Sequence, residues 1–354
     1  MMFEYFPRAV IDYRKLKVTY HCGLESYPEY NQWEPMWGQP FSIHLRNGIC
    51  MKDHIMTYKG RLVSFKPPIH DRWTKEKMTE YIRPFKKDEV EHIPGTIVVF
   101  NTCFSDGYGH WISEVIPCFA IANMLGLDDF KYYIDMGRTD NAFKAGTLAR
   151  MGIPIDTVVD WTHFPCDSPC FLSPKIIDSQ YHPLVSADHV YYIRKTRYSW
   201  WARDFVTNTF KDMAQPTRTN RRLYFSRQAD ARRHILNEQD VVRCLDKYGF
   251  EIIYTYNLFT DYADQVRLFR EADVVVTQRS SILYNLWYCK PDFKLLVLWQ
   301  NNENKYPGIV EKFQNVRSID CVPTPSKDHP EDGNCDDITV DIDILQQKLT
   351  EIFG

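Results

Sequence analysis

Short apolar runs alternate with amphipathic helical patterns from residue 221 to residue 299, and this alternation constrains the fold more than any other feature. The apolar runs predict strands at residues 223–225, 251–256, 273–277 and 294–299. The helical spacing is clearest at Val241, Leu245 and Tyr248, and Gly249 ends that pattern. This order is typical of βαβ units. We therefore expect an α/β protein with a parallel sheet that is covered on both faces.

Polar turns follow two of these strands. Ser226 and Arg227 come directly after the first strand, and Arg279, Ser280 and Ser281 come directly after the third. Ligands of open parallel sheets bind at the carboxyl ends of the strands. We therefore expect the two turns to face the same crevice.

The first turn continues into a cationic stretch and a predicted helix start. Arg232 and Arg233 precede Asn237 and Glu238, and Asn237 suits the N-cap position, with Asp240 in the capping-box position. The backbone N–H groups of a helix start and the forked donors of arginine both suit a phosphate-bearing ligand. The alternative interpretation is a solvated basic loop between two core elements.

The N-terminal half has a similar rhythm from residue 96 onward. Strands are predicted at residues 96–100, 131–136 and 157–161, and helices at residues 110–125 and 141–151. This pattern predicts a second Rossmann-like sheet. Residues 1 to about 90 contain repeated prolines and are predicted to be irregular.

The sequence therefore predicts two domains and a tail. Residues 1–185 form the first Rossmann-like domain and residues 186–330 the second, with a helical pattern at residues 198–214 joining the halves. In residues 331–354, three apolar side chains share one helical face, so a tail helix is expected to pack back on the body. Residues 323–337 are predicted to be a polar surface loop.

Composition argues against several partners. The formal net charge is −3, so no broad basic field attracts nucleic acid. No apolar run approaches the length of a membrane span, so no integral membrane segment is expected. His163, Cys166 and Cys170 form a metal-like cluster without a fourth ligand nearby, and Asp341 and Asp343 are typical of a helix start, so no metal site is predicted.

Several motifs between residues 95 and 300 appear in a characteristic order. The motif residues are Gly109, His110, Trp111, Glu114 and Pro117, then Ser226, Arg227, Arg232, Arg233, Asn237 and Glu238, then Gly249, Phe250 and Glu251, then Gln265 and Phe269. In this order they resemble the motifs of glycosyltransferase family 61. In that family a His-Gly-Ala-Gly-Leu-Thr-Asn turn follows, which is here Arg-Ser-Ser-Ile-Leu-Tyr-Asn at residues 279–285.

The resemblance implies a GT-B-like architecture, in which two Rossmann-like domains face a cleft. It implies an inverting transferase that moves xylose or a GlcNAc-type sugar from a UDP-linked donor to a hydroxyl of a glycan acceptor, without a required cofactor. The N-terminal domain then binds the acceptor and the C-terminal domain the donor. No signal segment opens the chain, so a cytoplasmic bacterial or virus-encoded enzyme is expected. The alternative is a degenerate member that binds nucleotide or glycan without turnover, because the glycines of the family's turn are replaced.

Site residues follow from the motifs and from the chemistry of glycosyl transfer. The departing diphosphate needs charge stabilisation, for which Arg227, Arg232 and Arg279 are the candidates. The predicted donor-binding residues are Ser226, Arg227, Arg232, Asn237, Glu238, Arg279, Ser280, Ser281 and Asn285.

The acceptor hydroxyl must lose a proton, and three side chains are candidates for that task. His110 and Glu114 lie four residues apart and share a helical face, so the carboxylate either orients the imidazole or acts as the base itself. Asp106 is a third candidate, although Asp-Gly is first of all a turn signal. The alternative for His110 is a structural histidine beside Trp111.

Overall fold

The computed structural model describes a large part of the chain and divides it into two compact units. Unit 1 is Met1–Val206 and unit 2 is Thr207–Gly354. The described residues are 4–5, 9–12, 16–21, 40–51, 54–56, 61–64, 85–100, 107–134, 136, 142–160, 184–194, 200–230, 232–255, 261–300, 313–327, 330 and 333–354. None of the described helices combines the length and the apolar composition needed to cross a bilayer.

Unit 1 is built on a mixed sheet. Its strands are β1 (Glu4–Tyr5), β2 (Ala9–Asp12), β3 (Val18–Tyr20), β4 (Phe41–Met51), β5 (His54–Met56), β6 (Arg61–Ser64), β7 (Phe85–Lys86), β8 (Val90–Phe100), β9 (Lys131–Ile134), β10 (Val158–Asp160) and β11 (Leu184–Arg194). The order in the sheet is β10-β9-β8-β11-β4-β5-β6-β2, with β3 also paired to β4. Strands β1 and β7 form a separate pair.

One half of this sheet is doubly wound. Strands β10, β9, β8 and β11 are parallel, and they are the third, second, first and fourth strands of this half in chain order. The strand order therefore reverses between β8 and β11. In open sheets, the crevice for a ligand lies outside the carboxyl ends of the strands at such a reversal.

Between β8 and β11, the part of unit 1 that the structure describes contains two helices. Helix α1 runs through Tyr108–His110, a π-helical segment Trp111–Val115, and Ile116–Asn123. Helix α2 is Ala142–Arg150, and short 3₁₀ turns occupy Lys87–Glu89 and Ile155–Thr157. The indole Nε1 of Trp111 donates to Thr147 Oγ1 at 2.9 Å, which ties α1 to α2 within the core.

The prediction that the first ninety residues are irregular is wrong where the structure describes them, because most of those residues lie in strands. Strand β4 pairs antiparallel with β11 from Leu184↔Met51 to Arg194↔Phe41. Its side chains alternate, with Phe41 and Ile43 in the core and His44 and Arg46 outside it. This period of two is the pattern of a half-buried strand. The sequence prediction gave more weight to the repeated prolines of the region than to this pattern.

Strand β11 also moves the boundary between the units. The sequence placed the boundary at residues 185 and 186, whereas the compact units meet at Val206 and Thr207. The reason is that β11 lies between β8 and β4 in the first sheet, where its hydrogen bonds join the two halves of unit 1. Helix α3, Trp200–Phe210, contains the boundary.

Unit 2 has the βα alternation that the sequence predicted. Its strands are β12 (Arg221–Ser226), β13 (Glu251–Tyr254), β14 (Ala272–Gln278), β15 (Lys294–Gln300), β16 (Asn315–Thr324) and β17 (Asp337–Thr339). Its helices are α4 (Glu238–Asp246), α5 (Tyr262–Glu271) and α6 (Ile342–Phe353), with 3₁₀ segments at Ser281–Tyr288 and Gly333–Cys335. The order is β13-β12-β14-β15-β16-β17, and only β17 is antiparallel to its neighbour. The strand order reverses between β12 and β14.

The C-terminal helix belongs to the core of unit 2. Leu345, Leu349 and Ile352 are buried in one cluster with Val241 and Leu245 of α4. The carboxylate of Asp341 accepts hydrogen bonds from the backbone N–H groups of Asp343 and Ile344, at 3.0 and 3.1 Å, and so caps α6. The first acid of this Asp-x-Asp sequence therefore serves the helix start.

Candidate active site

The two polar turns of unit 2 lie side by side at the strand reversal. Strands β12 and β14 are hydrogen-bonded neighbours in the register Phe225↔Thr277, and Arg227 and Arg279 are the first residues beyond their carboxyl ends. Nη1 of Arg227 lies 3.5 Å from the carbonyl oxygen of Arg279. This contact shows that the two turns are neighbours, and a crevice that both of them face stays a prediction.

Arg227 is clamped by a carboxylate that the sequence analysis did not select. Its Nε donates to Asp230 Oδ2 at 2.7 Å, and Thr255 Oγ1, at the end of β13, donates to Asp230 Oδ1 at 2.8 Å. The Asp230 N–H also donates to the Arg227 carbonyl at 2.8 Å. These bonds fix the guanidinium between two strand ends. The spacing of three residues between Arg227 and Asp230 is the signal that sequence reasoning missed.

Arg227 is a poorly hydrated cation. Its side chain is 12% exposed. Burial lowers the pKa of the Arg227 guanidinium, the charge and hydrogen bond of Asp230 act in the opposite direction, and nearby Arg232 lowers the pKa further. A buried cation beside a second cation is stabilised by an additional anion, and the oxygens of a phosphate suit the planar guanidinium fork.

Arg232 contacts the C-terminal part of unit 2. Its Nη1 donates to the thiol sulfur of Cys335 at 3.2 Å, and Cys335 is fully buried. Asp336 is also buried, and its carboxylate accepts from Gln300 Nε2 at 3.1 Å. The prediction of a polar surface loop is therefore wrong at Cys335 and Asp336, and Cys335 contacts the arginine-bearing turn.

His234 is another group in this turn that sequence reasoning missed. Its backbone N–H donates to Asp337 Oδ1 at 2.7 Å, and its ring Nε2–H donates to the carbonyl of Asp230 at 2.7 Å. The first of these contacts joins residues 103 positions apart. Local sequence patterns carry no signal for the contact with Asp337.

The predicted serines shape the turns. Ser226 is almost fully buried, and its Oγ accepts from the Gln228 N–H at 3.2 Å. Ser280 Oγ accepts from the Ile282 N–H at 3.3 Å and caps the 3₁₀ segment, at whose first position Ser281 is exposed. Both turns are therefore held by their own side chains.

Three of the predicted donor-binding residues make structural contacts within unit 2. The predicted cap of α4 by Asn237 is wrong. The Asn237 side chain exchanges hydrogen bonds with the backbone of Val340, at 2.8 and 3.0 Å. The carboxylate of Glu238 accepts from the Tyr224 hydroxyl at 2.7 Å. Asn285 is fully buried, and its Nδ2 donates to Gln265 Oε1 at 3.0 Å. Their side chains thus hold α4, β17 and the Ser281–Tyr288 segment in place.

The predicted His–carboxylate pair lies at the start of α1 in unit 1. Nδ1 of His110 is 3.1 Å from Oε1 of Glu114, and the two side chains are 31% and 3% exposed. Helix α1 is the first helix after β8, whose carboxyl end lies at the strand reversal of this unit. Asp106 lies outside the described residues.

A π-helical turn sets the spacing of this pair. The Ile116 N–H donates to the carbonyl of Trp111, five residues earlier, and Pro117 has no N–H with which to continue the α-helical pattern. π-Helical turns are frequent at functional sites. Lys144 is fully buried beneath this turn, with its Nζ 5.0 Å from the centroid of the Trp111 ring.

Two other regions do not coincide with these groups. A concavity of about 340 Å³ in unit 1 is lined by Phe119, Asn123 and Tyr132, at the end of α1 and the start of β9, away from His110. In the part of the chain that the structure describes, no three His, Cys, Asp or Glu side chains cluster as a metal site requires. His163, Cys166 and Cys170 lie outside that part.

The described residues thus place arginines at the strand reversal of unit 2 and a His–carboxylate pair at the start of α1 in unit 1. The family model described as Glycosyltransferase 61 matches residues 108–296, which is more than half of the 354 residues. The chain belongs to this family and is a glycosyltransferase, as the order of its motifs predicted. None of the curated sequences compared with the chain matches it.

Proposed function

We propose that the protein is an inverting glycosyltransferase that transfers xylose or a GlcNAc-type sugar from a UDP-linked donor to a hydroxyl of a glycan acceptor. The observation that carries this proposal is the approach of Arg227 to Arg279 at the strand reversal of unit 2. Family membership supplies the reaction class. The two arginines supply the positive charge that a departing diphosphate requires.

On the donor side, the bond between the anomeric carbon and the diphosphate oxygen breaks, and its electron pair leaves with the diphosphate. Arg227 and Arg279 bind the diphosphate oxygens in this proposal. Arg232 adds positive potential close to Arg227. Three guanidinium groups then take the place of a divalent cation, so no metal is required.

On the acceptor side, the hydroxyl oxygen attacks the anomeric carbon from the face opposite the diphosphate, and a single displacement inverts the configuration. His110 is more exposed than Glu114, which favours the imidazole as the group that takes the hydroxyl proton. Glu114, which lies behind it at 3.1 Å, then orients the ring and stabilises the imidazolium that forms. Asp106 stays a predicted alternative base.

The GT-B-like architecture is part of the proposal. Each unit has a strand reversal flanked by helices, which supports a donor site on unit 2 and an acceptor site on unit 1. The cytoplasmic location stays a prediction from the sequence.

The second candidate function is nucleotide or glycan binding without turnover, and the replaced glycines of the 279–285 turn favour it. The backbone of the turn argues against it. Ser280 has φ −160° and ψ 172°, an extended conformation that any residue adopts, so this position does not need glycine. Arg279 also brings a cation to the place where the family has histidine.

The proposal is tested by thermal-shift measurements with UDP, GDP, CDP and ADP, followed by assays of sugar release from the matching nucleotide sugars. We expect stabilisation by UDP and slow release of free sugar from one UDP-linked donor. Binding without sugar release or transfer from any donor supports the non-catalytic candidate. No stabilisation by any of the four nucleotides contradicts both candidates that involve a nucleotide.

A further inference from the structure

The concavity of unit 1 lies at the end of helix α1 that is farthest from His110. The end of α1, the start of β9 and the loop between α2 and β10 enclose about 340 Å³. Ligand sites begin at roughly this size, about 300 Å³. Because an α-helix rises by about 1.5 Å per residue, His110 and Asn123 lie on the order of 20 Å apart along α1. The concavity is therefore separate from the His–carboxylate pair.

Three aromatic rings line this concavity. The ring centroid of Tyr132 lies 4.7 Å from that of Phe119 and 4.9 Å from that of Phe130, and both contacts are edge to face. Phe119 is fully buried, whereas Phe130 is partly exposed. The exposed part of an aromatic ring offers an apolar face to a ligand. The C–H groups on one side of a sugar ring form a matching apolar face.

Tyr132 adds a hydroxyl to this aromatic lining. The residue lines the concavity and is 7% exposed. Within the described part of the chain, the Tyr132 hydroxyl has no hydrogen-bond partner. Burial raises the pKa of Tyr132 to about 12. A nearly buried hydroxyl without a partner is unfavourable, and a hydrogen-bonding ligand in the concavity would satisfy it.

The other polar side chains of the lining include two acids and an amide. Asp128, Asp129 and Asn123 line the concavity and are exposed. None of the described residues that line it is a lysine, an arginine or a histidine. The concavity therefore disfavours the phosphates of a nucleotide sugar and other anionic ligands.

The mixture of donors and acceptors favours a sugar over a cation. Carboxylates only accept hydrogen bonds, whereas the Asn123 amide and the Tyr132 hydroxyl donate as well as accept. An ammonium group only donates, so it leaves the donors of these two side chains without a partner. The hydroxyls of a sugar ring donate and accept, and they match the whole set.

We propose that this concavity binds a neutral sugar residue of the glycan acceptor, at a distance from the sugar that is glycosylated. Asp128, Asp129 and Tyr132 bind the hydroxyls of that residue, and Phe130 packs against its ring. The inference rests on the proposed function, because it takes the acceptor to be a glycan. Since the concavity and His110 lie at opposite ends of α1, the site favours acceptors of several sugar units over monosaccharides.

Saturation-transfer NMR with xylobiose, cellobiose, chitobiose, lactose and maltose tests whether the concavity binds sugar. We expect at least one of these neutral disaccharides to bind the native protein. Replacing both acids, as Asp128→Asn with Asp129→Asn, should weaken that binding by about tenfold. Tyr132→Phe should weaken it by about threefold or more and leave Tm unchanged or higher, because it removes only the unpartnered hydroxyl.

Asp156→Asn and Tyr191→Phe are the matched controls. Asp156 is an exposed acid in the neighbouring 3₁₀ turn, and Tyr191 is a partly exposed tyrosine of β11. Neither is among the residues that line the concavity, so both variants should keep the native Kd for the disaccharide. The proposal is overturned if no disaccharide binds the native protein, or if the Asp128/Asp129 and Tyr132 variants bind it as tightly as the native protein does.

Tetramethylammonium chloride tests the cationic alternative. If tetramethylammonium binds, loses affinity when both acids are replaced, and no disaccharide binds, the concavity takes a cation and the proposal is overturned.

The assignment to the acceptor makes a kinetic prediction. With a donor that the native protein uses, and with oligosaccharides of the type that binds, Tyr132→Phe should raise KM for acceptors of about four or more units. The kcat and the KM for the disaccharide should stay native. An unchanged KM for the long acceptors, or no transfer to any of them, overturns the assignment.

The outcomes separate this inference from the proposed function. If the native protein releases sugar from a UDP-linked donor but binds no disaccharide, only the inference fails. If it neither binds UDP nor releases sugar, while Tyr132→Phe weakens the binding of a disaccharide, the proposed transfer fails and the sugar site stands.

Discussion

The Nε atom of Arg227 lies 2.7 Å from Oδ2 of Asp230, at the point where β12 and β13 both end. Because Thr255 donates to the other carboxylate oxygen, Asp230 cannot rotate away without losing two bonds. This pair helps to hold the cationic turn of unit 2 in shape, whereas Asn237 does not cap α4. The donor site proposed here therefore depends on a carboxylate as well as on arginines.

The role of Asp230 predicts the effect of removing its charge. Asp230→Asn should weaken UDP binding by about tenfold, because the guanidinium of Arg227 loses its charge-assisted anchor. Glu251→Gln is the matched control, since it removes a carboxylate from Arg221 at the amino end of the same strand. Calorimetric titration should show a changed Kd in the first variant only. Equal Kd values for the two variants contradict the positioning role.

Turnover is predicted to be independent of divalent metal, because guanidinium groups carry the charge of the departing diphosphate. Transfer or sugar release should continue at an unchanged rate after dialysis against EDTA. A rate that falls with EDTA and returns with Mn²⁺ contradicts the arginine-only account.

Substitution of His110 or Glu114 in unit 1 is predicted to lower turnover without weakening donor binding. Glu114→Gln and His110→Ala should each lower kcat by ~10²-fold or more while the Kd for UDP stays nearly unchanged. If the two side chains act as one unit, the double variant should be hardly slower than the slower single variant. Near-native kcat in folded Glu114→Gln and His110→Ala moves the search to Asp106.

The lowered pKa of the Glu271 carboxyl predicts how the stability of unit 2 depends on pH. Burial alone raises the pKa of its carboxyl, but hydrogen bonds from Thr217, Arg218 and Arg221 outweigh it and lower the pKa from 4.5 to about 2. A carboxyl with a lowered folded-state pKa stabilises the protein above its unfolded-state value. That contribution, about 3 kcal/mol, is lost as the pH falls from 4.5 towards 2.

Urea unfolding across this pH range checks the prediction. Glu271→Gln should be less stable than the native protein at pH 6, and its free energy of unfolding should fall less steeply with acid. Glu351→Gln, which removes an exposed ion pair with Lys348, should retain the native pH dependence. If the free energy of unfolding of Glu271→Gln falls with acid as steeply as that of the native protein, the Glu271 carboxyl is not the source of the pH dependence.

The sequence predicted unit 2 well because buried parallel strands are contiguous apolar runs, as at Val274–Val276 of β14. It did not predict β4 and β11, whose apolar residues alternate with polar ones such as His44 and Asp188. In the site, Arg227 and Arg279 were predicted from their positions after strands. Gln278 was not, because its bond to Arg233 spans 45 residues and exists only once the sheet has formed.

Asn237 shows how tertiary contacts override a local motif. Its position suits a helix cap, but the backbone of Val340 lies within reach of both its amide atoms and satisfies them together. Two hydrogen bonds to a neighbouring strand replace the one that a cap provides. Sequence alone does not reveal such competition, because the competing partner lies 103 residues away.

The central claim is that the strand reversal of unit 2 binds the donor diphosphate through Arg227. The most direct measurement is the calorimetric Kd for UDP in the native protein, in Arg227→Ala and in Arg221→Ala. Arg221 is the control, because it pairs with Glu251 and Glu271 at the opposite end of β12. We predict that Arg227→Ala weakens UDP binding by about 1.5–3 kcal/mol, whereas Arg221→Ala lowers Tm without changing Kd. An unchanged Kd in folded Arg227→Ala contradicts the account.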